Sequence, residues 1–124
     1  MKVREVMTEV VLTAAAGTTI AEAASLMAQR RVGSALVMDG DRLLGIFTER
    51  DIVKALSQDG LAIQQAIRHW MTSEPRTIAP EATIDEALHL MVDGQFRHLP
   101  VVDGGRVVGM VSMRDLSRLQ LRDR

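Results

Sequence analysis

Two stretches of this sequence set a hydroxyl and a carboxylate at the same spacing. Gly45-Ile46-Phe47-Thr48-Glu49-Arg50-Asp51 recurs 64 residues later as Gly109-Met110-Val111-Ser112-Met113-Arg114-Asp115. Thr-x-x-Asp is first of all a helix-start signature. The hydroxyl accepts from a backbone N–H two or three residues on, and an acid in the first turn suits the helix dipole; such a cap contributes about 1 kcal/mol. The same residues can also bind. A strand-to-helix junction points free N–H groups and the positive end of the dipole at an anion such as phosphate. A carboxylate accepts two hydrogen bonds from a vicinal diol, as an acid does from ribose in dinucleotide folds. Gly45, inside an apolar strand, weakens that strand unless something approaches its backbone closely. Cap and ligand site are compatible readings of one motif.

Other chemistries lack their residues. The chain has no cysteine, which excludes disulfides, thiolate metal sites and cysteine nucleophiles. His69, His89 and His98 do not have metal-ligand spacing, so no metal site is expected. Ser34 and Ser112 lack a His–Asp context for nucleophilic catalysis, and no carboxylate pair converges by spacing. No catalytic residue is assigned, and the expectation is a protein that is not an enzyme.

Composition narrows the partners. Apolar residues make up 47% and charged residues 25% of the 124 positions, a globular balance. A net charge of −1 gives no electrostatic reason to bind nucleic acid or an anionic membrane. One Trp, two Phe and no Tyr are too few to stack single-stranded bases. No apolar run is long enough to span a bilayer, and the opening "MKVREVMTEVVLT" lacks a signal-peptide layout. A soluble cytoplasmic protein is expected.

The elements that must hold the two motifs are themselves duplicated. Positions 4–56 align with 68–120 without a gap, and 18 of those 53 positions are identical. Internal repetition at fixed offset marks a repeated structural unit. In each copy a capping box opens a helix: Thr19 with Glu22, then Thr83 with Glu86. Apolar positions 20, 23, 24 and 27, repeated at 84, 87, 88 and 91, form one helical face. Two apolar runs follow, split by Asp39-Gly40 and Asp103-Gly104, a hairpin signal. Second helices are expected from Thr48 to about Ser57 and from Ser112 to about Leu121. "EVVLT" and "EPRTI" read as short strands before the first helices. Each copy is therefore β-α-β-β-α, an α/β (α+β) unit of about 60 residues, and so short a unit buries only a marginal core alone. Repeats are expected at 1–60 and 61–124, packed about a pseudo-twofold axis into one compact module.

A duplicated β-α-β-β-α unit with Gly-h-h-(Thr/Ser)-x-x-Asp after its third strand resembles a CBS-domain pair, named for cystathionine β-synthase. "VREVMT", "ALVMDGDRLLGIFTERDIV" and "RHLPVVDGGRVVGMVSMRDL" carry the resemblance, which covers essentially the whole chain. It implies a stand-alone regulatory module that binds an adenosine-containing ligand in two clefts between the copies. AMP, ADP or ATP comes first, with S-adenosylmethionine or NAD as alternatives; none is a required cofactor. One cleft would take Thr48, Asp51, Ile46 and Arg50 with Arg97 and His98. Asp51 would hold ribose and Thr48 a phosphate oxygen, while the Arg97 fork and a protonated His98 would meet phosphates. The other cleft would take Ser112, Asp115 and Met110 with Ser34, and the uncharged Gly33 and Ser34 would make it the weaker. Met7–Thr8 and Met71–Thr72 would help line the ligand, and Arg114 matches Arg50. The resemblance also implies a homodimer formed by the helices at 48–57 and 112–121, and a separate effector protein. A ligand-independent homodimeric interaction module is the other reading.

Overall fold

The structure is a computed structural model and describes residues 1–122. Its chain divides into two compact units. One is Leu12–Pro75; the other joins Met1–Val11 to Arg76–Arg124.

In the Leu12–Pro75 unit, β1 (Thr13–Ala14) leads to α1 (Ile20–Arg30), the hairpin β2 (Ser34–Asp39) and β3 (Arg42–Thr48), α2 (Glu49–Gln58), and β4 (Thr72–Ser73). Thr19 caps α1: the Glu22 N–H donates to Thr19 Oγ1 at 3.1 Å, and Glu22 Oε1 accepts from the Thr19 hydroxyl at 2.9 Å, where a capping box would have it accept from the Thr19 amide. Ile20, Ala23 and Met27 form the buried stripe of that helix. They pack with Ala35, Val37 and Phe47 of the hairpin, Ala55 of α2, and Ile67. The sheet order is β1-β2-β3-β4, with β1 parallel to β2 and the other pairs antiparallel.

The other unit repeats this plan with α3 (Ile84–Gly94), β5 (His98–Asp103), β6 (Arg106–Ser112) and α4 (Met113–Arg122). Thr83 caps α3 by accepting from Glu86 N–H at 3.1 Å. Its core gathers Val3, Ile78, Ala87, Met91, Leu99, Val101, Val111 and Leu116. Here the outer sheet positions are single bridges. Ile78 pairs in parallel with Val101, and Thr8 pairs antiparallel with Met110. These match Ala14 with Val37 and Thr72 with Ile46 in the other unit. Both hairpins slip register at the same place, between Val37 and Met38 and between Val101 and Val102.

Three local expectations change. Only Thr13 of "EVVLT" and only Ile78 of "EPRTI" enter a sheet, because the edge pairs over only one or two residues; before it Leu12 is buried in the core while Val10 is 82% accessible. The strand at Thr72–Ser73 has no counterpart among the strands expected from sequence. Each lead-in segment, moreover, packs in the unit built on the other repeat's hairpin. Thr8 precedes the first hairpin in sequence but pairs on β6, whereas Thr72 follows it and pairs on β3.

Both first helices end on a non-glycine residue in the left-handed region, Arg31 at φ 56° and Gln95 at φ 58°. This turn aims the chain back into β2 and β5. It fixes where the next residues, Gly33–Ser34 and Arg97–His98, enter their strands.

Candidate functional site

The repeated motif builds the same corner in both units. In α2, Thr48 is the N-cap residue, and its backbone N–H donates to Asp51 Oδ2 at 2.8 Å. The Thr48 hydroxyl donates to that same oxygen at 3.3 Å. At α4, the Ser112 N–H donates to Asp115 Oδ2 at 2.8 Å, and the Asp115 N–H donates to Ser112 Oγ at 3.1 Å. The carboxylate is thus an integral part of each cap, accepting from the cap residue's own amide, where the motif alone assigns the leading part to the hydroxyl. Thr48, Asp51, Ser112 and Asp115 are all half-buried.

Burial pushes the Asp51 carboxyl above its ordinary value. The hydrogen bonds from Thr48 and the charges of Lys54 and Arg50 act in the opposite sense, and desolvation outweighs them.

Cross-strand register fixes the neighbours of each cap. Ser34 stands opposite Thr48, and His98 stands opposite Ser112. The first amide of each helix is tied back to the residue before the opposite strand: Glu49 N–H to Gly33 O at 3.1 Å, Met113 N–H to Arg97 O at 2.8 Å. Ser34, Ile46 and Met110 are each 7% accessible; His98 is half-buried, and Arg50, Arg97 and Arg114 are exposed. The Leu12–Pro75 unit therefore brings together Ser34, Ile46, Thr48, Arg50 and Asp51. The other brings together Arg97, His98, Met110, Ser112, Arg114 and Asp115. The groupings implied by the resemblance instead join Arg97 and His98 to Thr48 and Asp51, and Ser34 to Ser112 and Asp115.

Gly45 has a structural explanation. A Cβ there would lie 2.7 Å from the Thr72 carbonyl oxygen and 2.7 Å from Met71 Sδ. At Gly109 it would lie 2.8 Å from the Thr8 carbonyl oxygen and 2.9 Å from Met7 Sδ. The close approach that these glycines permit is that of the lead-in segment, with its repeated Met-Thr pair laid across the strand. That Met-Thr repetition was the available signal. The chain order, which puts each pair beside its own repeat, pointed elsewhere.

What this corner offers is a carboxylate, a hydroxyl and backbone amides at a helix start, a set suited to holding a polar ligand. Among the described residues no group of three or more acidic or histidine side chains is arranged to hold a metal ion. No helix among them is long and apolar enough to cross a membrane.

Comparison with known proteins agrees with the duplicated architecture. The model of the CBS domain matches residues 3–58 and again 67–122. The CBS domain-containing protein YhcV of Bacillus subtilis is 36% identical over 119 residues, which cover 96% of this chain and 85% of YhcV. The chain spans only 19% of a longer relative from Arabidopsis thaliana, 40% identical over 104 residues. Among solved structures, the CBS domain pair of protein MJ0100, in complex with 5′-methylthioadenosine and S-adenosyl-L-methionine, superposes with a TM-score of 0.92 at 29% identity, covering 100% of this chain and 98% of that one. The CBS domain protein PAE2072 from Pyrobaculum aerophilum, complexed with AMP, superposes at 0.88 and 27% identity over the full length of both chains. CBS pairs of this kind are regulatory ligand-binding modules. With both repeats matched and the fold shared along its whole length, this chain belongs to the CBS domain family as a tandem pair.

Proposed function

We propose that this protein is a non-catalytic sensor that binds an adenosine-containing ligand through its two repeated corners. The observation that carries the reading is the paired cap. In both units a half-buried carboxylate is locked at a helix start by a 2.8 Å bond to Oδ2. Both bonds from Thr48 to Asp51 fall on Oδ2, and the diol would be met at Oδ1. The adenosyl ligands of the MJ0100 and PAE2072 structures support the chemistry. AMP, ADP and ATP are the first ligands to test, then S-adenosylmethionine and NAD.

Asp51 and Asp115 hold ribose, Ile46 and Met110 give apolar contact, and Thr48 and Ser112 meet a phosphate or its equivalent. Arg97 and His98, with no charged counterparts at Gly33 and Ser34, supply the positive charge for phosphates. Arg50, in the same set as Thr48 and Asp51, adds to it. We assign the Thr48–Asp51 set the tighter nucleotide binding, with Arg97 and His98 serving it. The module acts in the cytoplasm as a homodimer through the faces of α2 and α4, and passes its state to a separate effector. Ligand changes that state only as far as its affinity differs between two conformations.

Isothermal titration of AMP, ATP and S-adenosylmethionine into the wild type, Asp51→Ala, Asp115→Ala and Arg97→Ala tests this. Expected are saturable binding in the wild type, a loss of about tenfold or more for Asp51→Ala, and a loss for Arg97→Ala that is larger for ATP than for S-adenosylmethionine. No saturable binding of any adenosyl compound below millimolar concentration refutes the sensor and leaves the ligand-independent interaction module. A larger effect of Asp115→Ala together with Arg97→Ala on one shared site would instead assign Arg97 to the corner of its own unit.

A further inference from the structure

The segment Met1–Thr8 lies on the unit built from Arg76 onward as a strap, with Val3 in that unit's core and Val6 and Met7 packed against it. Val3 is its one fully buried side chain. Backbone bonds run from Val3 N–H to Ala82 O at 2.8 Å, from Arg4 N–H to Pro80 O at 3.0 Å and from Ile84 N–H to Met1 O at 3.1 Å. Thr8 and Met110 exchange both of their bonds, at 2.8 and 2.9 Å. Two exposed ion pairs finish the anchorage, Lys2 Nζ to Glu81 Oε2 at 2.6 Å and Arg4 Nη1 to Glu81 Oε1 at 3.1 Å. The other repeat has Ala66 and Gly17 where this one has Lys2 and Glu81, so the ionic latch belongs to this strap alone.

After the strap the chain passes through Glu9 and Val10, both exposed and in no helix or strand, before the Leu12–Pro75 unit begins. When the strap lifts, the β6 edge at Met110 loses its only antiparallel neighbour beyond β5 among the described residues. An unpaired edge of this kind is a template for another strand, and the segment that fits it is already defined. An identical strap, carried by another copy, makes the identical contacts, so exchange between copies costs little beyond the association itself.

From these contacts we infer that Met1–Thr8 is an exchangeable strap, and that two copies of this chain can dimerise by seating each other's straps on the β6 edge. The occupant is the same segment of a second copy. Exposed ion pairs weaken as salt rises, so strap release and exchange are faster at high ionic strength.

The absence of native cysteine makes a direct test possible. Lys2 and Thr83 are bridge partners flanked by the Val3–Ala82 and Ile84–Met1 bonds, a non-hydrogen-bonded antiparallel pair. Such pairs have Cα atoms about 4.5 Å apart, within disulfide reach. A full-length Lys2→Cys chain is mixed with a full-length Thr83→Cys chain at high concentration and oxidised after incubation. Neither chain can close an internal disulfide. The expected product is a heterodimer whose disulfide joins position 2 of one chain to position 83 of the other. It should be in several-fold excess over the two symmetric disulfides, be identified by peptide mass, and form faster in 1 M salt. Symmetric disulfides in statistical proportion, or no crosslink while the Lys2→Cys/Thr83→Cys double variant closes fully within one chain, overturn the inference. Because Thr83 caps α3, the pair Thr8→Cys and Met110→Cys repeats the experiment at the other end of the strap, with the same two outcomes.

Discussion

At the scale of single residues, Asp51 joins stability and recognition in one group. It caps α2 through Oδ2, and burial raises its carboxyl above 3.8. For a raised acid the native state binds more protons than the unfolded chain between the ordinary and the raised value. Stability contributed by this group is therefore present at low pH and falls as pH rises through that window. Asp51→Asn keeps an oxygen to accept from the Thr48 amide and removes the titration. The difference in unfolding free energy, variant minus wild type, is expected to shift in the variant's favour as pH rises from the ordinary carboxylate value through the raised one, and then to level off, as urea titrations at several pH values will show. A difference constant across that range would mean that burial does not control the carboxyl. Glu81, held low by its hydrogen bond from Lys2, is unchanged in both proteins and cancels.

At the scale of elements, each hairpin is defined by the segment that crosses it. The register slip after Val37 leaves Gly45 opposite Val37 and, on its outer side, opposite Ser73, with Met71 lying over it. The Thr72 carbonyl is backbone and cannot rotate away, so Gly45→Ala forces the two strands apart. A cost of about 1–3 kcal/mol is expected from overpacking at this contact. Gly60→Ala is the control, since a Cβ there meets nothing within 4 Å and its φ is not positive. Equal midpoints for the two variants in chemical denaturation would remove the packing explanation and return the glycine to a purely ligand-facing role.

At the scale of the whole molecule, the repeats and the compact units do not coincide. Val3 belongs to the first repeat in sequence yet is fully buried among Ile78, Met91, Leu99 and Val111. Its counterpart Ile67 opens the second repeat and is fully buried among Ile20, Met27 and Phe47. Val3→Ala removes two methyl groups from a core position, a loss of about 2 kcal/mol. Amide exchange is expected to accelerate mainly in β5 and β6, and much less in β2 and β3; Ile67→Ala should give the reverse pattern. Faster exchange in β2 and β3 on Val3→Ala would contradict the exchanged assignment. The exchange of lead-ins also makes each unit depend on both repeats. Neither repeat, cut at its sequence boundary, carries its own complete sheet.

Local sequence was enough to set the elements and their pairing within each repeat. Thr19 and Thr83 with their glutamates, the Asp-Gly turns and the apolar periods are local signals, and the local hydrogen bonds follow them. It also placed Thr48, Asp51, Ser112 and Asp115 at helix starts, because a cap spans only three residues. Folding in three dimensions settled what the chain order obscures. Lead-ins Met7–Thr8 and Met71–Thr72 are identical dipeptides, each matching a glycine in either hairpin equally well. Nothing local tells Gly45 which of them to accept. The choice is made by which outer sheet position the chain can reach once Val3 and Ile67 are buried, a matter of long-range packing. Register, likewise, set Ser34 beside Thr48 and His98 beside Ser112. "GIFTERD" and "GMVSMRD" were legible as repeated motifs, and the charged Arg97–His98 against the uncharged Gly33–Ser34 was legible as an asymmetry; which pair stands beside which motif within each unit was fixed by strand pairing, a long-range matter.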